Sequence, residues 1–205
     1  KFLLHTWSLS VEWQFYIIYP IVLLLFAKLF SAKTIKKIIA IATIFAFFFA
    51  VYASFRWNVA SYFLLPTRIW EMLLGGIVFL YPLKLSKTQH KHTLELIGLG
   101  LIVISFFIIS EHTVWPGYMA LLPTGGAFLL LQANNQTSYF TNNLVMQKLG
   151  LWSYSLYLYH WPLLVINHKF NLQLSIWVFL AITIALSVLS YYFIEIKRWK
   201  VWSVL

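Results

Sequence analysis

Residues 12–30 read EWQFYIIYPIVLLLFAKLF, an apolar run whose only charge after its first residue is Lys28. About 20 mostly apolar residues are the length that an α-helix needs to cross the hydrocarbon core of a bilayer. Six more apolar runs follow, at residues 38–53, 66–83, 94–110, 118–133, 151–166 and 172–194. The pattern predicts an all-α fold, a polytopic bundle of about seven transmembrane helices. The second, fifth and sixth runs are short, so we expect them to extend into their flanks or to be partly re-entrant.

The composition indicates the same class of protein. Of the 205 residues, 61% are hydrophobic and 10% are charged, whereas soluble domains carry about 25% charged residues. Aromatic residues make up 20% of the chain, which is typical where rings anchor helix ends at membrane interfaces. We therefore predict one membrane domain over residues 1–205, with the lipid bilayer as a partner. The chain has no cysteine, so disulfides and cysteine-ligated metals are excluded.

The net charge of +10 does not indicate a nucleic-acid partner, because the basic residues sit in short loops between apolar runs rather than on one face. With seven spans and alternating loops, eleven Lys and Arg residues fall on one side of the membrane and four on the other. Basic residues are enriched in cytoplasmic loops. The asymmetry predicts that the His5 end lies outside and that the C-terminus lies in the cytoplasm.

Polar residues cluster where the first helix is predicted to begin. His5, Ser8 and Glu12 are three and four residues apart, so on a helix they would form one polar stripe that continues to Tyr16 or Tyr19. Polar groups at the edge of apolar sequence are costly and often functional. A carboxylate beside an imidazole orients a general base. The alternative is a helix cap, in which Ser8 satisfies free amides and Glu12 is favourable in the first turn. The spacing alone does not decide between them.

Arg68 and Glu71 are three residues apart at the start of the third run. They predict either a local ion pair or an internal polar cluster that binds substrate or fastens helices together. Gly75 and Gly76 follow on the same helix and permit close helix packing.

In the sixth run Ser153, Tyr157 and His160 recur at intervals of four and three, so they share a helix face. Pro162 follows, and a proline interrupts the backbone hydrogen bonding of a helix. A histidine at such a position is either a satisfied structural group or a functional one.

Two further groups carry less weight. His90 and His92 could bind a metal ion, but no further spaced ligand supports them, so we predict no metal site. Glu195 ends the last run beside Lys197 and Arg198, and the interpretation that we favour is a charged surface cluster.

At these residues the chain resembles the acyltransferase 3 family of bacterial integral-membrane O-acyltransferases, which modify lipopolysaccharide, peptidoglycan and exopolysaccharides. Residues 5–16 resemble the motif His-Thr-Trp-Ser-Leu-x-Val-Glu-x-Gln-Phe-Tyr, although Trp13 stands where many members carry a second Glu. Residues 66–75 resemble the Arg-x-x-Glu-Leu-x-x-Gly helix. Residues 150–162 resemble Gly-x-x-Ser-Tyr-Ser-x-Tyr-Leu-x-His-x-Pro, and residues 192–195 resemble the closing Phe-Ile-Glu.

The resemblance implies transfer of an acyl group, often acetyl, from acyl-CoA to a hydroxyl of a cell-envelope glycan in the bacterial inner membrane. Acyl-CoA is then a co-substrate, and no bound cofactor or metal is implied. The resemblance implies His5, Ser8 and Glu12 as catalytic residues. The implied substrate-binding residues are Trp7, Gln14, Tyr16, Arg68, Glu71, Ser153, Tyr157 and His160.

Family members have about ten spans, and their early helices, which carry a histidine proposed as catalytic and an arginine motif linked to the donor, have no counterpart here. The resemblance therefore predicts that the chain is the later part of a family domain. Two other functions stay open. One is a transporter or flippase-like module that moves a lipid-linked glycan or a small anion. The other is a non-catalytic scaffold or fragment, in which His5, Glu12 and His160 could be replaced without loss of function.

Overall fold

The computed structural model describes residues 2–110 and 112–197. Three of the basic residues used to predict the membrane orientation lie outside these residues: Lys1, Arg198 and Lys200. The helices are α1 Trp7–Leu29, α2 Ala32–Arg56, α3 Asn58–Phe63, α4 Leu65–Leu80, α5 Thr88–Ile108, α6 Leu121–Ala133, α7 Leu144–Lys169 and α8 Ile176–Ser190. Short 3-10 turns at Leu4–Thr6 and Tyr118–Ala120 and a π turn at Tyr191–Glu195 complete the described structure, which contains no strand.

The all-α membrane fold is confirmed, since each of the seven apolar runs contains a helix. Within the described residues, four helical segments are long and apolar enough to cross a membrane: Leu4–Leu29, Ala32–Arg56, Thr88–Ile108 and Ile176–Glu195. Helices α4 and α6 are shorter, with 16 and 13 residues. Helix α7 has 26 residues and is more polar, and it continues through Pro162. The number of seven spans stays a prediction.

The observed ends of the helices differ from those of the predicted runs throughout the chain, and three of these differences have a visible local basis. The second run extends at both ends into the 25-residue α2, whose start is capped by the Ser31 side chain. Helix α1 begins at Trp7, before the apolar run itself. Helix α4 ends at Leu80 and not at residue 83, because Tyr81 precedes Pro82 and a residue before proline disfavours helical backbone. The side chain of Gln132 binds the backbone of Tyr81 and Leu83 in this non-helical segment.

The contacts divide the chain into two compact units. The larger unit is Trp7–Gln136, and the smaller unit combines Lys1–Thr6 with Thr137–Leu205. The single membrane domain over residues 1–205 stays a prediction.

Helix α4 lies at the centre of the larger unit. Leu73 packs with Phe15 of α1 and Ile39 of α2 in one apolar cluster. Trp70, which is 1% exposed, packs with Ala50 of α2 and Ala120 in a second cluster. Residues three apart on a helix lie on neighbouring positions of one face, so this face of α4 is fixed by packing. The packing holds the polar residues of α4 in a defined orientation.

Helices α5 and α6 approach each other closely at two glycines. A Cβ atom added at Gly98 would lie 2.7 Å from the backbone oxygen of Gly126, and one added at Gly126 would lie 2.6 Å from that of Gly98. Both distances are shorter than a van der Waals contact. Small residues are what allow helix backbones to approach this closely.

We expect Gly98→Ala and Gly126→Ala each to lower the free energy of unfolding by about 1–3 kcal/mol, the cost of overpacking a close contact. Gly100→Ala and Gly125→Ala are matched controls, because an added Cβ at either position has no heavy atom within 4 Å. The controls should be neutral or slightly stabilising, since alanine favours the helix. Thermal unfolding in detergent measures all four, and equal effects in both pairs would contradict the close approach.

The smaller unit is built from α7, α8 and the π turn that follows α8. Asn143 caps α7 by accepting a hydrogen bond from the Met146 amide, and Ser175 caps α8 in the same way with the Val178 amide. Such caps satisfy amides that the first helical turn leaves without partners. Helix α7 carries the predicted residues Tyr157 and His160, and its position against α8 therefore places them.

Candidate functional site

A polar pocket of about 270 Å³ lies between α1 and α4 of the larger unit. Residues four apart on α1 lie on one helix face, and this face supplies Ser8, Glu12 and Tyr16. Helix α4 supplies Arg68 and Glu71. The lining residues are Ser8, Val11, Glu12, Tyr16, Arg68, Glu71 and Met72. The structure thus brings together five of the residues that the sequence singled out.

Arg68 and Glu71 form an ion pair on one wall of this pocket. The Arg68 Nη2 donates to Glu71 Oε2 at 3.1 Å, and the two side chains are only 21% and 18% exposed. The other oxygen, Oε1 of Glu71, is buried and has no hydrogen-bond partner among the described residues. The local ion pair is therefore observed, and it also lines a cavity; substrate binding by the pair stays a prediction.

Arg68 also contacts an aromatic ring, that of Trp7. The guanidinium carbon of Arg68 lies 5.3 Å from the centre of the Trp7 ring, within the range of a cation–π interaction. Trp7 in turn packs against Tyr62 and Phe63 of α3, at centroid distances of 4.8 and 4.9 Å. The predicted substrate-binding residue Trp7 therefore orients Arg68.

Glu12 differs from Glu71 in its partners. It is half-buried, lines the pocket, and has no ion pair with a residue that the structure describes. The one guanidinium of the pocket, that of Arg68, is already bound to Glu71. The carboxylate of Glu12 is thus a hydrogen-bond acceptor and a base that the fold leaves available to a ligand.

The smaller unit brings His5, Tyr157 and His160 together. The Tyr157 hydroxyl donates to the backbone oxygen of His5 at 2.5 Å. The centre of the His5 ring lies 5.1 Å from the centre of the Tyr157 ring and 5.5 Å from the centre of the His160 ring. His5 is 8% exposed, and Nδ1 of His160 lies 3.2 Å from the Leu156 oxygen. Two imidazoles and a phenol therefore share one site.

His5 and Ser153 are placed differently from what their spacing suggested, and Gln14, which only the family resemblance implied, lies outside the pocket. His5 lies in the 3-10 turn Leu4–Thr6, before α1 begins, so the α-helical spacing that would align it with Ser8 does not hold. Gln14 is exposed and does not line the pocket. Ser153 is exposed on α7, whereas Tyr157 and His160 contact each other.

The interpretation of Glu195 as part of a charged surface cluster stays a prediction, because Arg198 of that cluster lies outside the described residues, but the structure gives Glu195 a further contact. Ser155 is fully buried, and its hydroxyl donates to Oε1 of the half-buried Glu195 in the π turn. The bond joins α7 to the end of α8. In the sequence, the only sign of this contact is that Ser155 lies on the face of α7 opposite to Ser153. Its partner Glu195 lies 40 residues further along the chain.

The profile of a family described as an acyltransferase domain matches residues 1–195. The chain belongs to this family. The match covers every candidate residue of both units, from His5 to Glu195.

The names of similar proteins are consistent with this family. The chain is 30% identical over 211 residues to the O-acetyltransferase OatA of Staphylococcus aureus strain NCTC 8325, covering 93% of this chain and 35% of that protein. It is 28% identical over 199 residues to BcsY of Komagataeibacter xylinus, named as a candidate membrane-bound transacylase, covering 94% and 50%. The chain thus spans between a third and a half of the length of these relatives. No solved structure shows a significant match.

Proposed function

We propose that the protein is a membrane-bound O-acyltransferase that moves an acyl group, acetyl in the simplest case, from acyl-CoA to a hydroxyl of a cell-envelope glycan. The observation that carries the proposal is the pocket between α1 and α4, in which Glu12 has no ion-pair partner among the described residues and lies with the Arg68–Glu71 pair. Such an arrangement offers a base and a cationic donor in one cavity. Relatives named as an O-acetyltransferase and a transacylase support acyl transfer as the reaction class.

The reaction requires a base and an oxyanion donor. The oxygen of the glycan hydroxyl attacks the thioester carbonyl, a C–O bond forms, the C–S bond breaks, and the hydroxyl proton ends on the departing thiolate. Glu12 accepts that proton as the C–O bond forms. Arg68, held by Glu71 and Trp7, donates to the oxygen on which negative charge develops.

The remaining groups bind the acceptor. The hydroxyls of Ser8 and Tyr16 can hydrogen-bond neighbouring hydroxyls of a sugar ring. Gln14 and Ser153 stay predicted contacts to the substrate.

His5 and His160 of the smaller unit stay proposed functional residues, since imidazole is the side chain most often used for proton transfer. Tyr157 acts through His5, since its hydroxyl binds the carbonyl of the turn that carries this histidine. Tyr157 is in this proposal a positioning residue for His5.

The proposed location is the bacterial inner membrane, with the His5 end outside and the C-terminus in the cytoplasm. The basic loops support this orientation. Acyl-CoA then approaches from the cytoplasm, and the glycan is presented outside or within the membrane.

The experiment that tests the proposal is deletion of the gene in its bacterial host, followed by measurement of alkali-released acetate from the purified envelope glycans. We expect the deletion strain to lose ester-linked acetate from one glycan and the wild-type gene to restore it. Unchanged acylation would contradict the proposal. Accumulation of an unacylated lipid-linked glycan on the cytoplasmic side, with normal acylation of what is exported, would indicate the transporter instead.

A further inference from the structure

A second polar pocket of the larger unit lies beyond the C-terminal end of α4. It measures about 280 Å³, and its walls come from the segment after α4, the start of α5 and the end of α6. The lining residues are Leu83, Lys84, Leu85, Ser86, Lys91, Gln132, Ala133 and Asn134. None of these residues lines the pocket between α1 and α4.

The first wall of this pocket is fixed by a single side chain. Gln132, which is 5% exposed, donates from Nε2 to the Tyr81 oxygen at 3.0 Å and accepts at Oε1 from the Leu83 amide at 2.9 Å. The non-helical segment after α4 is therefore held to the end of α6. A buried amide with both ends satisfied defines one conformation of that segment.

The second wall is fixed by a buried carboxylate. Asn135 donates from Nδ2 to Oε2 of Glu95 at 2.9 Å, and the same nitrogen lies 3.1 Å from Nδ1 of His92. Glu95 is 1% exposed. Asn134 between the two walls has φ 39°, a left-handed conformation that asparagine tolerates better than most residues and that ends α6. The loop after α6 is thus attached to the first turns of α5.

The charge inside this pocket is positive. Lys84 and Lys91 line it together with the Ser86 hydroxyl, and the lining includes no carboxylate. Among the described residues neither lysine side chain forms an ion pair, and Lys91 is half-buried. The positive end of the α5 helix dipole adds to the potential at Lys91. Two ammonium groups and a hydroxyl in a lining that includes no carboxylate favour an anionic ligand.

We propose that this pocket binds a phosphate group of an anionic ligand through Lys84, Lys91 and Ser86. Lysine ammonium groups and hydroxyls are common phosphate ligands in proteins. Two sources offer this chemistry, the phosphates of coenzyme A in the acyl donor and the headgroup of an anionic phospholipid. The first source rests on the proposed function; the phosphate site itself does not.

The test measures binding without turnover, with the protein in phosphatidylcholine nanodiscs and free coenzyme A as the probe. We expect Lys84→Gln combined with Lys91→Gln to weaken coenzyme A binding by about ten- to a hundredfold, the loss expected when charge-assisted hydrogen bonds are removed. Lys33→Gln combined with Lys37→Gln is the charge-matched control. Both of these lysines are exposed on α2 and outside the pocket, so the control should bind coenzyme A within about twofold of the wild type.

A second arm distinguishes the lipid source. Nanodiscs that contain phosphatidic acid are analysed by native mass spectrometry for retained lipid. One outcome is that the Lys84/Lys91 variant retains less phosphatidic acid than the wild type, while all proteins bind coenzyme A equally. This outcome supports the phosphate site and identifies a lipid headgroup as its ligand. Equal binding of both probes by the wild type, the variant and the control overturns the site. Loss of coenzyme A binding in the Lys84/Lys91 variant supports the phosphate site, whether or not the wild type transfers acyl groups. Absence of acyl transfer in the wild type contradicts only the proposed function.

Discussion

Glu12→Gln is expected to lower acyl transfer by about a hundred- to ten-thousandfold, the range that a positioned general base contributes. The glutamine has nearly the same shape but cannot accept the proton of the glycan hydroxyl. Because Glu12 has no ion pair with a described residue, the substitution should leave the fold and membrane insertion unchanged. The measurement is ester-linked acetate on the envelope glycan in a deletion strain that carries the variant gene.

The neighbouring serines of α1 provide the control for this prediction. Ser8 lines the pocket, and Ser10 is exposed and does not. Ser8→Ala should therefore reduce transfer, and Ser10→Ala should leave it at the wild-type level. Normal acylation by Glu12→Gln would refute the assignment of the base and would favour the non-catalytic scaffold.

Arg68→Gln is expected to lower the free energy of unfolding by about 3–5 kcal/mol, because it leaves the carboxylate of Glu71 largely buried without its partner. The Glu71 side chain is 18% exposed. An exposed ion pair would contribute only about 0–1 kcal/mol, so the size of the effect separates the two situations. Unfolding in detergent, followed by circular dichroism, gives the difference between the wild type and the variant.

A double substitution tests the physical reason for that loss. Arg68→Gln combined with Glu71→Gln removes both charges, and the two amides can hydrogen-bond to each other. We expect this variant to recover most of the lost stability while transfer stays abolished, since the oxyanion donor is still absent. A single Arg68→Gln variant as stable as the wild type would show that Glu71 is well solvated, contrary to the structure.

Local patterns in the sequence predicted the helices and part of the site. The lengths of the seven apolar runs predicted where helices form. The four-residue spacing of Ser8, Glu12 and Tyr16 predicted that they share one face of α1. The three-residue spacing of Arg68 and Glu71 predicted the ion pair. Each of these relations holds between residues within one helix, where geometry follows directly from sequence separation.

The rest of the architecture depends on contacts between distant segments. Gln132 binds backbone atoms 49 and 51 residues away, and Ser155 binds Glu195 at a separation of 40. No periodicity specifies such partners. The position of His5 was misjudged for a local reason, since a 3-10 turn separates it from α1 and α-helical spacing does not apply there.

The most direct test of the central claim uses the purified protein in proteoliposomes with acetyl-CoA labelled in its acetyl group and envelope glycan from which the ester-linked acetate has been removed. The account predicts that label appears as alkali-labile acetate on the glycan with the wild type and falls to background with Glu12→Gln. Absence of label on the glycan with folded wild-type protein, or equal labelling by the wild type and Glu12→Gln, would contradict it.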